Sequence, residues 1–194
     1  MGADMSKSKF DPKKRHRRSI RLKGYDYSQQ GAYYVTIVTY HRDCLFGEIV
    51  NKEMILNEFG KIAAEFWRAI PDHFPFVELG AYVIMPNHVH GIIMIRNVDA
   101  PSNVGATQWV APTTLGKRPK GPKRGSLGAI LGAYKMAVTR RIGRELNATG
   151  IWQRNYYEHI VRDEKDLQNK TDYIHANPSL WDEDDNNPRN YPAP

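Results

Sequence analysis

The sequence predicts an α+β fold, a ferredoxin-like antiparallel β-sheet with helices packed mainly on one face. Three observations carry this prediction. Short apolar runs are rich in β-branched and aromatic residues, which is typical of strands. Between these runs, apolar residues recur every three or four positions, which is typical of amphipathic helices. The order is strand, helix, strand, strand, helix, strand, helix, without an internal repeat.

The first half of the chain is predicted to contain three strands and one helix. Residues 32–40 (AYYVTIVTY) should form a central strand. Residues 46–51 read as a turn or short edge, and Asn57 is placed to cap the helix that follows. Residues 76–95 contain two apolar runs on either side of Met85-Pro86-Asn87, whose Pro and Asn indicate a tight turn between adjacent strands.

The second half is predicted to contain two helices and one strand. Ser126 can cap a helix of about 20 residues, which Gly150 ends. Residues 156–161 read as another strand. Asp163 can cap the last helix, and Pro178 prevents that helix from continuing.

We expect one domain with extensions that have little to bury. The domain should span residues 25–181, after a basic and flexible arm at residues 1–24. Residues 97–125 are expected to form a mobile basic loop within the domain. Residues 182–194 form a tail rich in acidic residues, Pro and Asn, which we also expect to be mobile.

Composition excludes some classes of protein. A mean hydropathy of −0.61 and the lack of a long apolar run exclude a membrane-spanning segment. The single cysteine, Cys44, cannot form an internal disulfide and suits a reducing cytoplasm.

The charge of the chain indicates a polyanionic partner. The formal net charge is +7, and the basic residues are concentrated in two segments. Residues 7–23 contain nine Lys and Arg against one acid, and residues 117–124 contain five more and no acid. Each run alone could be a solvated tail, but together they favour nucleic acid.

His88-Val89-His90 opens the second strand of the predicted pair. Because side chains alternate along a strand, both imidazoles point to one face and Val89 points to the other. Two imidazoles so placed can share a divalent metal ion. His-x-His is a weak signal alone, since cupins and amidohydrolases also place it on strands, and a purely structural role stays open.

Tyr173 and Asn177 lie one turn apart on the last helix and so share a face. Beside a two-histidine site they would supply a nucleophile and a third, oxygen-donating metal ligand. The chain offers rival nucleophiles. Tyr134 lies on an apolar stripe and reads as a core residue, whereas Tyr156 and Tyr157 alternate on a strand, so that at most one could face the metal.

Four motifs occur in a fixed order along the chain. They are Arg21-Leu22-Lys23-Gly24-Tyr25-Asp26-Tyr27 followed by Tyr34-Val35-Thr36, then Met85-Pro86-Asn87-His88-Val89-His90-Gly91, then Trp152-Gln153-Arg154-Asn155-Tyr156-Tyr157-Glu158-His159, and finally Tyr173-Ile174-x-x-Asn177-Pro178. This ordered set resembles the single-tyrosine HUH nuclease superfamily, in particular the REP-associated tyrosine transposases of bacteria. The resemblance covers about residues 18–181.

The resemblance implies a metal-dependent enzyme that cleaves and rejoins single-stranded DNA, with hairpins such as repetitive extragenic palindromes as substrate. His88 and His90 would hold Mg²⁺ or Mn²⁺, and Tyr173 would attack the phosphodiester to leave a 5′-phosphotyrosine. Asn177, as the third ligand, stands where many single-tyrosine transposases have glutamine. Such a protein would act on DNA in the cytoplasm, at the nucleoid, as a monomer or a homodimer.

DNA contacts are expected to be made mainly with phosphates, which give position and salt-dependent affinity rather than sequence choice. Trp152 could stack on an unpaired base, although a role as a core anchor is equally open. The expected DNA-binding residues are Lys13, Lys14, Arg15, Arg17, Arg18, Arg21, Lys117, Arg118, Lys120, Lys123, Arg124, Arg140, Arg141, Arg144, Trp152 and Arg154.

Two other functions compete with this one. The first is a metal-dependent hydrolase that activates water and would survive Tyr173→Phe; the lack of an evident third His, Asp or Glu ligand near the strand pair weighs against it. The second is a non-catalytic nucleic-acid-binding protein with a relic site, which would bind DNA unchanged without His88 and His90.

Overall fold

A computed structural model describes residue 22 and residues 24–96 and 122–190 of the chain, and it confirms the predicted fold class. The strands are β1 (Gly31–Val38), β2 (Gly47–Val50), β3 (Glu53–Leu56), β4 (Val77–Ile84), β5 (His88–Ile95) and β6 (Tyr157–Val161). The helices are α1 (Glu58–Arg68), α2 (Ile70–His73), α3 (Leu127–Leu146) and α4 (Glu164–Ala176). The main sheet has the order β4-β5-β1-β6 with every neighbour antiparallel, which is the ferredoxin-like arrangement.

The two faces of the main sheet are covered differently. One face packs against α1 and α3 and contains the larger core, in which Val35, Val89 and Ile130 are fully buried. The other face carries α4, whose Ile174 packs with Tyr34 and Ile92 in a second, smaller core. The helices therefore lie mainly on one face, as predicted, and α4 alone covers the opposite face.

Residues 46–56 differ from the expectation of a turn or short edge. Strands β2 and β3 pair as a hairpin that forms a separate two-stranded sheet. The hairpin turns at Asn51 and Lys52, which have φ values of 51° and 66°. Left-handed residues at both central positions match the twist of a tight hairpin. Lysine at the second position replaces the glycine that usually marks such a turn in a sequence.

The three predicted helix caps are confirmed. The side chains of Asn57, Ser126 and Asp163 accept hydrogen bonds from the first-turn N–H groups of α1, α3 and α4. Helix α3 ends before the predicted Gly150, because Asn147 takes the left-handed conformation with a φ of 49°. No helix in the described parts of the chain is both long and apolar enough to cross a bilayer.

The expected mobility of the C-terminal tail does not hold for residues 182–190. A 3₁₀ segment (Asn177–Glu183) follows α4 and brings Asp184 and Asn187 into buried positions. The Asn187 amide donates to the Trp181 carbonyl oxygen (2.8 Å), and Asp184 accepts from the Asn186 backbone N–H (2.6 Å). Local hydrogen bonds of this kind fold a polar segment that has few apolar residues.

Gly91 allows the indole of Trp67 to pack directly against the backbone of β5. A Cβ atom at residue 91 would lie 2.2 Å from a ring carbon of Trp67, which is fully buried. Any side chain would push α1 away from the strand that carries the two histidines.

We expect Gly91→Ala to lower the free energy of unfolding by about 1–3 kcal/mol, because the buried indole cannot move without disturbing the core. Urea denaturation measures this change. Gly132→Ala is the control: it lies in α3, where a Cβ atom would point into open space, and it should be neutral or stabilising by up to about 1 kcal/mol. Equal effects at both positions would contradict this account of Gly91.

Candidate active site

The two histidines lie at the start of β5 and face α4. His88 is fully buried, His90 is 2% exposed, and their ring centroids are 4.3 Å apart. Val89 points into the larger core on the other face. The predicted alternation is confirmed, and it brings both imidazoles to the side of the sheet from which α4 approaches.

Hydrogen bonds determine which nitrogen of His88 carries its proton. The Asn87 amide nitrogen donates to the backbone oxygens of Arg42 (2.9 Å) and Asn186 (2.7 Å), which turns its Oδ1 toward His88 Nδ1 at 2.9 Å. Because an amide oxygen only accepts, Nδ1 must be the protonated nitrogen. The lone pair of His88 therefore lies on Nε2, which is buried without a hydrogen-bond partner.

His90 is held by two hydroxyl groups from β1. Its Nδ1 lies 2.7 Å from Tyr34 Oη and 2.9 Å from Thr36 Oγ1. Hydroxyls can donate or accept, so these contacts orient the ring and permit either tautomer. His90 Nε2 is also buried without a hydrogen-bond partner.

Burial keeps both rings neutral. It lowers the pKa of His88 to about 4, an effect that the negative charge of Asp184 partly offsets. It also lowers the pKa of His90 well below its usual value, and the positive charges of a protonated His88 and of Lys170 add to this effect. Neutral imidazoles bind metal ions through the nitrogen that carries the lone pair, which is Nε2 in His88 and in the tautomer of His90 that is protonated on Nδ1.

Asn177 and Asp184 complete the buried cluster. Asn177 directly follows α4 with helical backbone angles, and its Nδ2 donates to Asp184 Oδ2 at 3.0 Å. Its Oδ1 is buried without a hydrogen-bond partner. Asp184 Oδ2 lies 3.9 Å from His88 Nε2, and ligand atoms of His88, His90 and Asp184 all lie within 4.8 Å of one another.

The residues present fit a divalent metal ion. Three buried ligand atoms lack hydrogen bonds, namely Nε2 of His88, Nε2 of His90 and Oδ1 of Asn177, and a carboxylate stands beside them. Unpartnered buried polar atoms are costly, and a cation would satisfy all three. The buried His-His-Asp cluster can thus bind a metal ion.

Sequence analysis missed Asp184 and assigned it to the tail. It stands among Asp182, Glu183 and Asp185, and no periodicity distinguishes the acid that points inward. The 3₁₀ segment after Pro178 makes that choice, because it turns the chain back over β5 toward His88. The missing third acidic ligand, which weighed against a hydrolase, is therefore present.

Tyr173 lies on α4 beside the buried His-His-Asp cluster, in the same chain. Its ring centroid is 5.3 Å from that of His90 and 6.2 Å from that of Tyr34, and the side chain is 43% exposed. Partial burial raises the pKa of the Tyr173 phenol, the charge of Asp184 adds to the rise, and the Asn177 amide partly offsets it. The phenol is neutral at physiological pH and reaches both the cluster and solvent.

A cavity of about 490 Å³ opens in front of Tyr173 and His90. Arg42 and Lys170 bring positive charge to its lining, and Asp185 brings a carboxylate. The Lys170 ammonium also lies over the Tyr34 ring, 5.1 Å from its centroid. The cavity is open to solvent, and His90 is the member of the buried cluster that lines it.

The chain is similar to two proteins of Haemophilus influenzae. One is an uncharacterized protein, 40% identical over 185 residues that cover 91% of this chain and 96% of that protein. The other is described as a candidate REP-associated tyrosine transposase, 28% identical over 164 residues that cover 79% of this chain and 73% of that protein. No family model matches the chain.

Two solved structures are also similar. One is a REP-associated tyrosine transposase bound to a REP hairpin, with 19% identity, a TM-score of 0.49, and coverage of 83% of this chain and 73% of that chain. The other is a candidate transposase of Deinococcus radiodurans, with 18% identity, a TM-score of 0.41, and coverage of 80% and 95%. Among these proteins, the 28% identical relative from Haemophilus influenzae links the sequence of this chain to REP-associated tyrosine transposases as a similarity.

The rival tyrosines are placed differently from Tyr173. Tyr134 is buried in the larger core and donates to the Ala63 backbone oxygen at 3.2 Å, as its position on an apolar stripe predicts. Tyr156 packs partly against that core. Tyr157 pairs with Thr36 across β6 and β1, lines the cavity and is 50% exposed, so it is the matched comparison for Tyr173.

The structure brings only some of the expected DNA-binding residues near the cavity. Arg154 follows Gln153 of its lining, whereas Arg141 pairs with Glu65 (3.0 Å) and Lys123 with Asp26 (2.7 Å). Arg140, Arg144 and Arg124 are described as well, Arg144 beside Glu145 at 3.2 Å. The remaining residues, Lys13, Lys14, Arg15, Arg17, Arg18, Arg21, Lys117, Arg118 and Lys120, lie outside the described residues.

Trp152 serves as an anchor of the larger core. Its ring packs against Phe46 and Tyr134 at centroid distances of 5.1 and 5.7 Å. It is half-buried, and part of its surface lines a groove beside α3. A role as core anchor is therefore compatible with the predicted stacking on an unpaired base, because part of the packed indole remains accessible.

We expect the metal-free protein to lose stability as pH falls, because the unfolded chain binds protons near pH 6.5 whereas the folded chain excludes them from His88 until about pH 4. The stability is fully present above the unfolded value and declines below it. Urea midpoints in EDTA should show a loss of about 1–2 kcal/mol between about pH 7 and about pH 5.

The control is the double variant His88→Gln and His90→Gln, measured under the same conditions. Its stability should depend less steeply on pH, because the two groups that titrate differently in the folded and unfolded chain are gone. An unchanged slope would show that other groups produce the pH dependence.

Proposed function

We propose that the protein cleaves and rejoins single-stranded DNA through a covalent bond to Tyr173, in a metal-dependent reaction. The observation that carries the proposal is the position of the Tyr173 phenol beside three buried, unpartnered ligand atoms of His88, His90 and Asn177. The similarity to a candidate REP-associated tyrosine transposase supports the same reaction class. Because nucleophile and ligands belong to one chain, we propose that each chain forms a complete site.

The reaction conserves the energy of the phosphodiester bond. Tyr173 Oη attacks phosphorus, the bond from phosphorus to the 3′ oxygen breaks, and the phenol proton leaves to solvent while the 3′ oxygen gains one. The products are a 5′-phosphotyrosine and a 3′-hydroxyl, and attack by a 3′-hydroxyl reverses the step without ATP.

The residues around Tyr173 must help it, because its raised pKa disfavours the phenolate. His88, His90 and Asn177, with Asp184 as a further ligand, would hold Mg²⁺ or Mn²⁺, which would polarise a non-bridging phosphate oxygen. Arg42 and Lys170 are placed to attract the phosphate into the cavity. Packing of the Tyr173 ring against Tyr34 and His90 would hold the phenol beside the cluster, where the phosphate would be positioned.

The substrate we propose is a single strand or a hairpin, such as a REP sequence. Similarity to a relative that is described as a candidate REP-associated tyrosine transposase supports this choice, and the net charge of +7 supports a polyanionic partner. The basic arm and the 117–124 segment would contact phosphates beyond the cavity, in addition to the basic residues near it. Binding should accordingly weaken as salt rises.

A metal-dependent hydrolase is the second candidate, and Asp184 favours it. A buried His-His-Asp cluster is the donor set that hydrolases use to activate water. Such an enzyme would release product with multiple turnovers and would not need Tyr173. The two functions therefore differ in the 5′-phosphate, which stays bound to Tyr173 in the first and is released with the product in the second.

We expect Tyr173→Phe to abolish a covalent protein–DNA species, because the variant lacks the attacking oxygen while its ring still packs against His90. The measurement is a denaturing gel of the protein incubated with Mn²⁺ and 5′- or 3′-labelled single-stranded hairpin DNA. Tyr157→Phe is the matched control, because this tyrosine lines the same cavity and should leave the adduct intact.

Each outcome has a distinct meaning. Cleavage without an adduct that persists in Tyr173→Phe would replace the proposal by the hydrolase. An adduct that disappears in Tyr157→Phe instead would move the nucleophile to β6. DNA binding without cleavage by any form, including wild type, would leave a binding protein.

We expect Asp184→Asn to weaken Mn²⁺ binding about tenfold or more, because it removes a buried negative charge 3.9 Å from His88 Nε2. Isothermal titration calorimetry measures the affinity. Glu183→Gln is the control, since it removes a neighbouring charge that faces solvent. Equal losses in both variants would show a general electrostatic effect and exclude Asp184 from the site.

A further inference from the structure

A second groove, of about 430 Å³, lies beside α3 on the other side of residues 152–154. Gln153 lines both this groove and the cavity in front of Tyr173. Its backbone N–H donates to the Val38 carbonyl oxygen at 2.9 Å, which places this segment alongside the end of β1. A single extended residue thus separates the two concave surfaces.

Two guanidinium groups without an ion pair among the described residues stand at the groove, which we call the arginine groove and define by Met136, Arg140, Trp152, Gln153 and Arg154. Arg140 donates a hydrogen bond to Met136 Sδ at 3.8 Å. Arg140 and Arg154 are exposed, and neither makes an ion pair with a carboxylate among the described residues. Their charges are therefore available to a partner.

The floor of the arginine groove is apolar and firm. Trp152 is fixed by its packing on Phe46 and Tyr134, and Met136 is 42% exposed beside it. Flat apolar surface between free cations suits unpaired nucleotides, whose bases lie on the floor while phosphates meet the arginines. In a duplex the bases are stacked inside the helix and cannot contact this apolar floor.

Lys135 holds in place the segment of residues 153–155, which separates the cavity from the arginine groove. Its half-buried ammonium donates to the backbone oxygens of Gln153, Arg154 (3.5 Å) and Asn155 (3.3 Å). These hydrogen bonds connect residues 153–155 to α3, and the Lys135 ammonium is therefore occupied by contacts within the chain. Gln153 and Arg154 are thereby held between cavity and groove.

We propose that the arginine groove binds the part of a single DNA strand that leaves the cavity over Gln153. The inference rests on the proposed function, because the strand in the cavity is the one that Tyr173 would cleave. In the groove, Arg140 and Arg154 contact phosphates, and a base lies against Trp152 and Met136. This surface extends the contacts with unpaired DNA around the edge of the sheet.

The test compares two double variants of the full chain that lose the same charge. Arg140→Gln with Arg154→Gln removes the groove cations, and Lys61→Gln with Arg96→Gln removes cations that are paired with Glu58 and Glu78. The probe is fluorescein-labelled oligothymidylate of about 16 nucleotides, and anisotropy measures its affinity at several salt concentrations.

The groove variant should bind the strand at least about tenfold more weakly, and its salt slope should fall by about 1.4, since each lost phosphate contact removes about 0.7. The control should stay within about twofold of wild type with an unchanged slope. A duplex of the same length should show equal affinity for both variants.

Three results would each overturn the proposal for the arginine groove. They are equal losses of single-strand affinity in both double variants, no loss of affinity in either, or a loss of duplex affinity in the groove variant equal to its loss of single-strand affinity. Covalent adduct formation on hairpin DNA at saturating concentration is measured in parallel. If wild type forms no adduct, the proposed function fails, whereas the binding comparison still decides whether the groove holds a single strand.

Discussion

The structure depends on two neutral imidazoles that share one buried face of β5. Strand alternation sends Val89 into the larger core, so His88 and His90 cannot leave that face without unpacking the sheet. Burial lowers the pKa of both rings, and hydrogen bonds from the Nδ1 side orient them. A bound cation would offset the cost of burying their unpartnered Nε2 atoms, and metal binding would then stabilise this region of the fold.

The rest of the fold brings groups to that face from three directions. Strand β1 contributes the hydroxyls of Tyr34 and Thr36, and α4 contributes Tyr173 with Asn177 at its end. The 3₁₀ segment that follows then adds Asp184. In a ferredoxin-like sheet, α1 and α3 cover the opposite face, so the site occupies the surface that this topology leaves for α4.

Sequence reasoning could predict what depends on local periodicity and capping. The alternation around Val89, the caps at Asn57, Ser126 and Asp163, and the shared helix face of Tyr173 and Asn177 all follow from short-range spacing. Asp184 could not be predicted, because its position depends on a chain reversal after Pro178 that has no repeating pattern.

The acid that sequence reasoning missed also changes the electrostatic balance of the site. Two histidines and an amide would leave the full charge of a divalent ion available to a phosphate, whereas Asp184 would neutralise part of it. Arg42 and Lys170 line the cavity and supply positive charge in addition to that of the ion. Asp184 lies on the buried side of the cluster, whereas Arg42 and Lys170 line the open cavity together with Asp185. In the proposed reaction, Asp184 would strengthen metal binding, while Arg42 and Lys170 would attract the phosphate into the cavity.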